Sequence, residues 1–93
     1  MSEPVTRRLV VHGHVQGVFF RAQTRRLARE HGVSGWVATR PDGTVEALLQ
    51  GSADDVAAVE GWIRGGGPPR AAVDRVEADD VEATDHDSFE VRG

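Results

Sequence analysis

The chain has 93 residues, of which 39% are apolar, and a formal net charge of −4. This length predicts one small domain, residues 1–93, with a modest core. The absence of cysteine excludes disulfides and thiolate metal sites. No apolar run approaches the roughly 20 residues of a membrane span, and the acidic balance argues against a nucleic-acid binder. We therefore expect a cytoplasmic protein that binds neither membranes nor nucleic acid.

Charge is distributed unevenly along the chain. Seven of the eleven arginines, but only two acidic residues, lie in residues 1–40, whereas acidic residues concentrate in 79–87. A locally basic half favours an anionic ligand, although solvated surface charge explains the same pattern.

The first elements are predicted to be a strand over residues 6–12 and a helix over residues 21–31. The strand is rich in β-branched and apolar types. In the helix, Phe20, Thr24, Leu27, Ala28 and His31 recur on one face of a 3.6-residue period. Gly32 follows as a C-terminal stop.

Two strand-like runs then flank the sequence RPDG, which is typical of a hairpin turn. Ser52 is a favourable N-cap, with Asp55 three residues later as in a capping box. The helix that follows, with Val56, Val59 and Ile63 on its apolar face, ends at GGGPP. Two more strand-like runs, AVDRVEADDVE and the short SFEVRG, close the chain.

This order, β-α-β-β-α-β with an extra terminal strand, is typical of ferredoxin-like domains. It predicts an α+β sandwich in which an antiparallel sheet carries both helices on one face. Because this fold supports many functions, function must be argued from a site.

The stretch GHVQGVFFR, residues 13–21, lies between the first strand and the first helix. A helix N-terminus carries unpaired N–H groups and partial positive charge, which suit a phosphate or carboxylate. Gly13 and Gly17 permit close backbone approach or positive φ, and the Arg21 guanidinium matches phosphate geometry. A purely structural strand-to-helix connection with a surface arginine is the alternative.

The same stretch resembles the acylphosphatase signature G-x-V-Q-G-V-x-F-R at every fixed position. A second block, GWVATRPDGTVEALLQG, is similar to the family's pattern at Gly35, Trp36, Val37, Gly43, Val45 and Gly51. The resemblance implies hydrolysis of acyl phosphates to carboxylate and inorganic phosphate, without metal or organic cofactor. We expect the protein to be a monomer. It also implies that the backbone of His14, Val15, Gln16, Gly17, Val18, Phe19 and Phe20 cradles the phosphate, and that Arg21 clamps it.

The chain departs from the family's pattern at Thr39, where the family has the asparagine that orients the attacking water. Threonine offers one hydroxyl on a shorter, χ1-restricted side chain. An ångström-scale displacement of the water costs about 10²-fold in rate. Thr39 therefore leaves two alternatives, a slow acylphosphatase and a catalytically weak or inactive phosphate-binding module. A third is a purely structural or interaction domain, such as the acylphosphatase-like domains found inside larger proteins.

Several other residues remain open to two interpretations. Arg25 and Arg29 share the helix face of Arg21 and either steer anions or form a solvated face, with Arg26 pairing Glu30. Phe19 and Phe20 are both predicted to anchor the loop. The four histidines and the acidic cluster of residues 79–87 match no metal-binding spacing.

Overall fold

A computed structural model describes residues 3–15 and 19–93. Within these residues, five strands and two helices follow the predicted order. They are β1 (Pro4–His14), α1 (Phe20–Glu30), β2 (Ser34–Thr39), β3 (Val45–Ser52), α2 (Ala53–Arg64), β4 (Ala72–Asp80) and β5 (Phe89–Val91).

The strands form one sheet in the order β4-β1-β3-β2-β5. The four longer strands pair antiparallel, as the sequence predicts. The short β5 instead pairs parallel to β2, so the five-stranded sheet is mixed. Its direction follows from the long return of the chain after β4, which crosses to the opposite edge of the sheet.

Both helices pack on one face of this sheet. α1 lies over β2 and β5, α2 lies over β1, β3 and β4, and the two helices touch each other. The fold is therefore the ferredoxin-like α+β fold. The core between the layers is built from alternate strand residues and from the apolar helix faces, including Leu9, Val11, Val37, Leu49, Phe20, Val56, Val59 and Ile63.

The two helix ends that the sequence marks most strongly are found where expected. The Ser52 hydroxyl accepts a hydrogen bond from the Asp55 N–H at 3.2 Å, which caps α2. Gly32 has a φ of 70°, the left-handed conformation that commonly follows a helix.

The β2–β3 turn fixes the end of β2. The Asp42 carboxylate accepts hydrogen bonds from the backbone N–H and the hydroxyl of Thr44, at 2.9 and 2.6 Å. These bonds, the one from the hydroxyl above all, lower the pKa of Asp42. The turn sets Thr39 opposite Val45 in the ladder, and so defines the position of the last residue of β2.

Candidate active site

The site begins where β1 leaves the sheet. Gly13 has a φ of 132° and follows a register shift between β1 and β4. A Cβ atom built on Gly13 would lie 2.1 Å from the Ala72 backbone oxygen. Glycine is therefore required here by the close approach of β4, a structural reason rather than access for a ligand. Beyond it, His14 is exposed and Val15 is buried.

Three members of the predicted phosphate cradle, Gln16, Gly17 and Val18, lie outside the described residues. The remaining members are His14, Val15, Phe19, Phe20 and Arg21, which bracket this stretch from the end of β1 and the start of α1. Their roles as phosphate ligands stay predictions.

The N-terminus of α1 has no protein cap among the described residues. Phe19 occupies the N-cap position with a φ of 60° and no side-chain hydrogen bond, and the first turn contains no acidic residue. The first helical hydrogen bond runs from Gln23 N–H to the Phe19 carbonyl at 3.0 Å. The N–H groups before it therefore point out of the helix start, together with the positive end of its dipole.

Among the described residues, the N-terminus of α2 is capped, in contrast to that of α1. Its N-terminus has the Ser52 cap and two acidic residues, Asp54 and Asp55, in the first turn. Such groups neutralise a helix start. In the part of the chain that the structure describes, α1 lacks both kinds of group.

The two phenylalanines before Arg21 differ in environment. Phe20 is buried and lies against Trp62, with ring centroids 6.0 Å apart. Phe19 is 78% exposed. The prediction that both anchor the loop is right for Phe20 and wrong for Phe19, because the left-handed backbone at Phe19 turns its side chain away from the core.

The Arg21 side chain is held by a residue far along the sequence. Its Nη1 donates a hydrogen bond to the Gly93 backbone oxygen. The same oxygen accepts a hydrogen bond from the Thr39 N–H at 3.3 Å. One oxygen atom thus contacts both residues that the sequence singles out as catalytic candidates.

Gly93 reaches this position because the chain beyond β5 continues along β2. The Arg92 N–H donates to the Val37 carbonyl at 2.8 Å, and the Arg92 guanidinium lies 5.6 Å from the Trp36 ring centroid. Gly93 itself has a φ of 68°. Sequence reasoning missed Gly93, since only the pairing of β5 with β2 carries it to Arg21.

Thr39 is half-buried on the face of the sheet that carries α1. Side chains alternate along a strand, and in β2 both Gly35 and Val37 are buried beneath the helices. Thr39 is two residues beyond Val37, so its side chain is on the same face of the sheet as Gly35 and Val37. It lies opposite the buried Val45. Its hydroxyl is therefore on the same side of the sheet as the start of α1.

A cleft of about 440 Å³ opens beside Arg21. Its lining combines apolar side chains with two arginines. The lining residues are Val15, Phe19, Phe20, Arg21, Ala22, Arg25 and Val91.

The other arginines of α1 are distributed as follows. Arg26 pairs with Glu30 at 3.3 Å, as predicted from their spacing. Arg29 Nε donates to the Phe89 carbonyl at 3.2 Å. Arg25 is exposed and lines the cleft.

Within residues 3–15 and 19–93 there is no cluster of three or more potential metal-ligating side chains, and no helix long and apolar enough to cross a membrane.

Comparison with known proteins identifies the family. Residues 7–91 match the family model described as Acylphosphatase. The chain belongs to the acylphosphatase family. An acylphosphatase of an Acidovorax species is 49% identical over 88 residues, covering 95% of this chain and 90% of that protein. One from Thiobacillus denitrificans is 47% identical over 87 residues, covering 94% and 96%.

The fold agrees with this family assignment. The structure of an acylphosphatase from Coxiella burnetii superposes with a TM-score of 0.91 at 36% sequence identity, covering 96% of this chain and 93% of that one. The ferredoxin-like architecture predicted from the element order is thus also that of a solved acylphosphatase.

Proposed function

We propose that this protein hydrolyses acyl phosphates to a carboxylate and inorganic phosphate, with Arg21 as the phosphate clamp and Thr39 as the residue that positions water. The observation that carries the proposal is the shared Gly93 oxygen, within hydrogen-bond distance of both Arg21 Nη1 and Thr39 N–H. A phosphate oxygen at that place would meet the same two donors, which come from α1 and β2.

The electrostatics of the site support an anionic substrate. The uncapped start of α1 contributes N–H donors and a partial positive charge. Arg21 adds a full charge in a planar fork that matches two phosphate oxygens. Phosphoryl transfer depends mainly on positioning and on stabilising the charge of the equatorial oxygens, and these groups supply both.

In the proposed reaction a water oxygen forms a bond to phosphorus while the bond between phosphorus and the acyl oxygen breaks. The acyl oxygen leaves as a carboxylate, and the proton of the attacking water passes to an oxygen of the phosphate. Carboxylate is a weak base and needs no general acid to leave. The protein's task is therefore to align water, phosphorus and leaving oxygen.

Thr39 takes the place of the family's asparagine in this scheme. Its hydroxyl can accept one hydrogen bond from the water and donate another. Because the side chain is shorter than asparagine and restricted at χ1, the water lies off the best line of attack. We therefore expect slow hydrolysis and a smaller effect on phosphate binding.

The deciding experiment measures hydrolysis of benzoyl phosphate by the wild-type protein, by Arg21→Ala and by Arg26→Ala. Arg26 is a matched control on the same helix whose partner is Glu30. We expect Arg21→Ala to lower kcat/KM by about 10²–10³-fold and Arg26→Ala to have little effect. Inorganic phosphate should inhibit the wild type and raise its Tm. Equal activity of the two variants, or no effect of phosphate, would contradict the proposal.

A further inference from the structure

The face of α1 that looks toward β5 presents three arginines at four-residue steps. Arg29 donates to the Phe89 carbonyl and Arg21 to the Gly93 oxygen. Four residues of helix advance about 6 Å and two residues of strand about 6.6 Å. Each four-residue step along α1 therefore matches two residues along the chain from Phe89 to Gly93. The middle arginine, Arg25, is thereby placed beside Val91.

Arg25 differs from its neighbours in its hydrogen bonding. Arg21, Arg26 and Arg29 each donate to a carbonyl or a carboxylate. Arg25 makes no hydrogen bond or ion pair with any residue in the described part of the chain, and it lines the cleft beside Arg21. A guanidinium with five donors is thus available to a molecule in that cleft.

The rest of the cleft lining is apolar. Phe19 is 78% exposed and Val91 38% exposed, which makes them two of the chain's exposed large apolar side chains. Both line the cleft, together with Ala22. An exposed apolar surface beside a polar site is typical of a ligand-binding groove.

We infer that this cleft receives the acyl group of the substrate and that Arg25 binds a second anionic group on it. The preferred substrates are then acyl phosphates with an apolar body and a distal carboxylate. The phosphate contacts Arg21, the body packs on Phe19 and Val91, and the carboxylate accepts hydrogen bonds from Arg25. This inference rests on the proposed function and adds the substrate class.

The geometry of the helix sets the length of such a substrate. Arg21 and Arg25 are one turn apart, about 6 Å along the axis, and their side chains project in the same direction. A single benzene ring is a rigid spacer of suitable size between two anionic groups. The carboxylate must therefore stand across the body of the acyl group from the phosphate, since an adjacent one would compete for Arg21.

The test uses two substrates that differ only in charge, 4-carboxybenzoyl phosphate and 4-carbamoylbenzoyl phosphate. The readout is the ratio of their kcat/KM values, for the wild type, Arg25→Gln and the control Arg26→Gln. We expect the wild type to favour the carboxy substrate through a lower KM. Arg25→Gln should reduce the ratio about five- to tenfold, Arg25→Glu should invert it, and Arg26→Gln should leave it unchanged. Added salt should also reduce the wild-type ratio.

The outcomes separate this inference from the proposed function. If benzoyl phosphate is hydrolysed in an Arg21-dependent manner but the ratio is the same in the wild type and Arg25→Gln, the acyl site is wrong and the proposed function stands. A lower Tm of Arg25→Gln with an unchanged ratio would make Arg25 a clamp on β5, which also overturns the inference. No hydrolysis of any acyl phosphate by the wild type would overturn both.

Discussion

Arg21 and Gly93 stand far apart in the sequence and are joined by a hydrogen bond from Nη1 of the arginine to the backbone oxygen of the glycine. The bond ties the start of α1 to the chain that follows β5. It holds the guanidinium beside the end of β2, where the Thr39 N–H donates to the same oxygen at 3.3 Å. The contact directs the guanidinium to the place where, in the proposed reaction, a phosphate oxygen replaces the Gly93 oxygen.

Arg21→Lys tests whether geometry as well as charge is required. Lysine keeps the positive charge but cannot offer two parallel donors. We expect kcat for benzoyl phosphate to fall at least about tenfold, with a smaller loss of phosphate binding. Arg26→Lys should behave like the wild type. A fully active Arg21→Lys would mean that a point charge suffices and that the planar fork has no role.

Thr39→Asn tests the position of the water. Asparagine extends one atom farther from β2 and adds an NH₂ donor, while the backbone N–H bond to Gly93 can remain. We expect the kcat of acyl-phosphate hydrolysis to rise at least about tenfold, with little change in inhibition by inorganic phosphate. Ser34→Asn, at the other end of β2, is the control. An unchanged kcat in a folded Thr39→Asn variant would remove Thr39 from the proposed mechanism.

The lowered pKa of Glu60 predicts how the free energy of unfolding depends on pH. Burial raises the pKa of this carboxyl, but hydrogen bonds from Arg7 at 2.6 Å and Arg64 at 2.9 Å outweigh burial and lower it below the ordinary value of 4.5. The stabilisation of the folded state by the ionised Glu60 carboxylate is therefore complete above the unfolded-state pKa. It is lost as the pH falls through the lower, folded-state pKa.

Glu60→Gln should lower the free energy of unfolding at pH 7 by about 1 kcal/mol. The difference in free energy of unfolding between wild type and variant should disappear as the pH falls below about 4. Urea unfolding at several pH values measures this gap, with Glu30→Gln as an exposed control. A gap that stays constant down to about pH 2 would show that Glu60 stabilises by packing rather than by charge.

Two glycines provide a matched pair for stability. Gly13→Ala places a Cβ atom 2.1 Å from the Ala72 oxygen at a φ of 132°, so we expect a loss of more than about 2 kcal/mol. Gly61 lies within α2, and a Cβ atom added there would meet no described atom within 4 Å outside its own helix turn. Gly61→Ala should therefore stabilise the protein by about 0.5–1 kcal/mol. Thermal unfolding of both variants gives the comparison, and equal effects would contradict the close approach of β4.

Much of the fold is predictable from the sequence because its signals are local. Ser52 caps α2 through its own hydroxyl, and the periodic apolar face of α1 buries Phe20, Thr24 and Ala28. The direction of β5 is not predictable in this way. A three-residue strand carries no information on whether its partner runs parallel or antiparallel.

The candidate site, like the fold, is only partly predictable from the sequence. The sequence by itself determined the element order, the glycine-bounded stretch before Arg21, the family pattern and the departure from it at Thr39, because each depends on residue types at fixed spacing. Only the tertiary structure decided that Phe19 is exposed while Phe20 is buried, that Gly13 serves the approach of β4, and that Gly93 joins Arg21 to Thr39. These depend on contacts between segments distant in sequence, which form only when β4 pairs with β1, β5 pairs with β2 and α1 packs on the sheet.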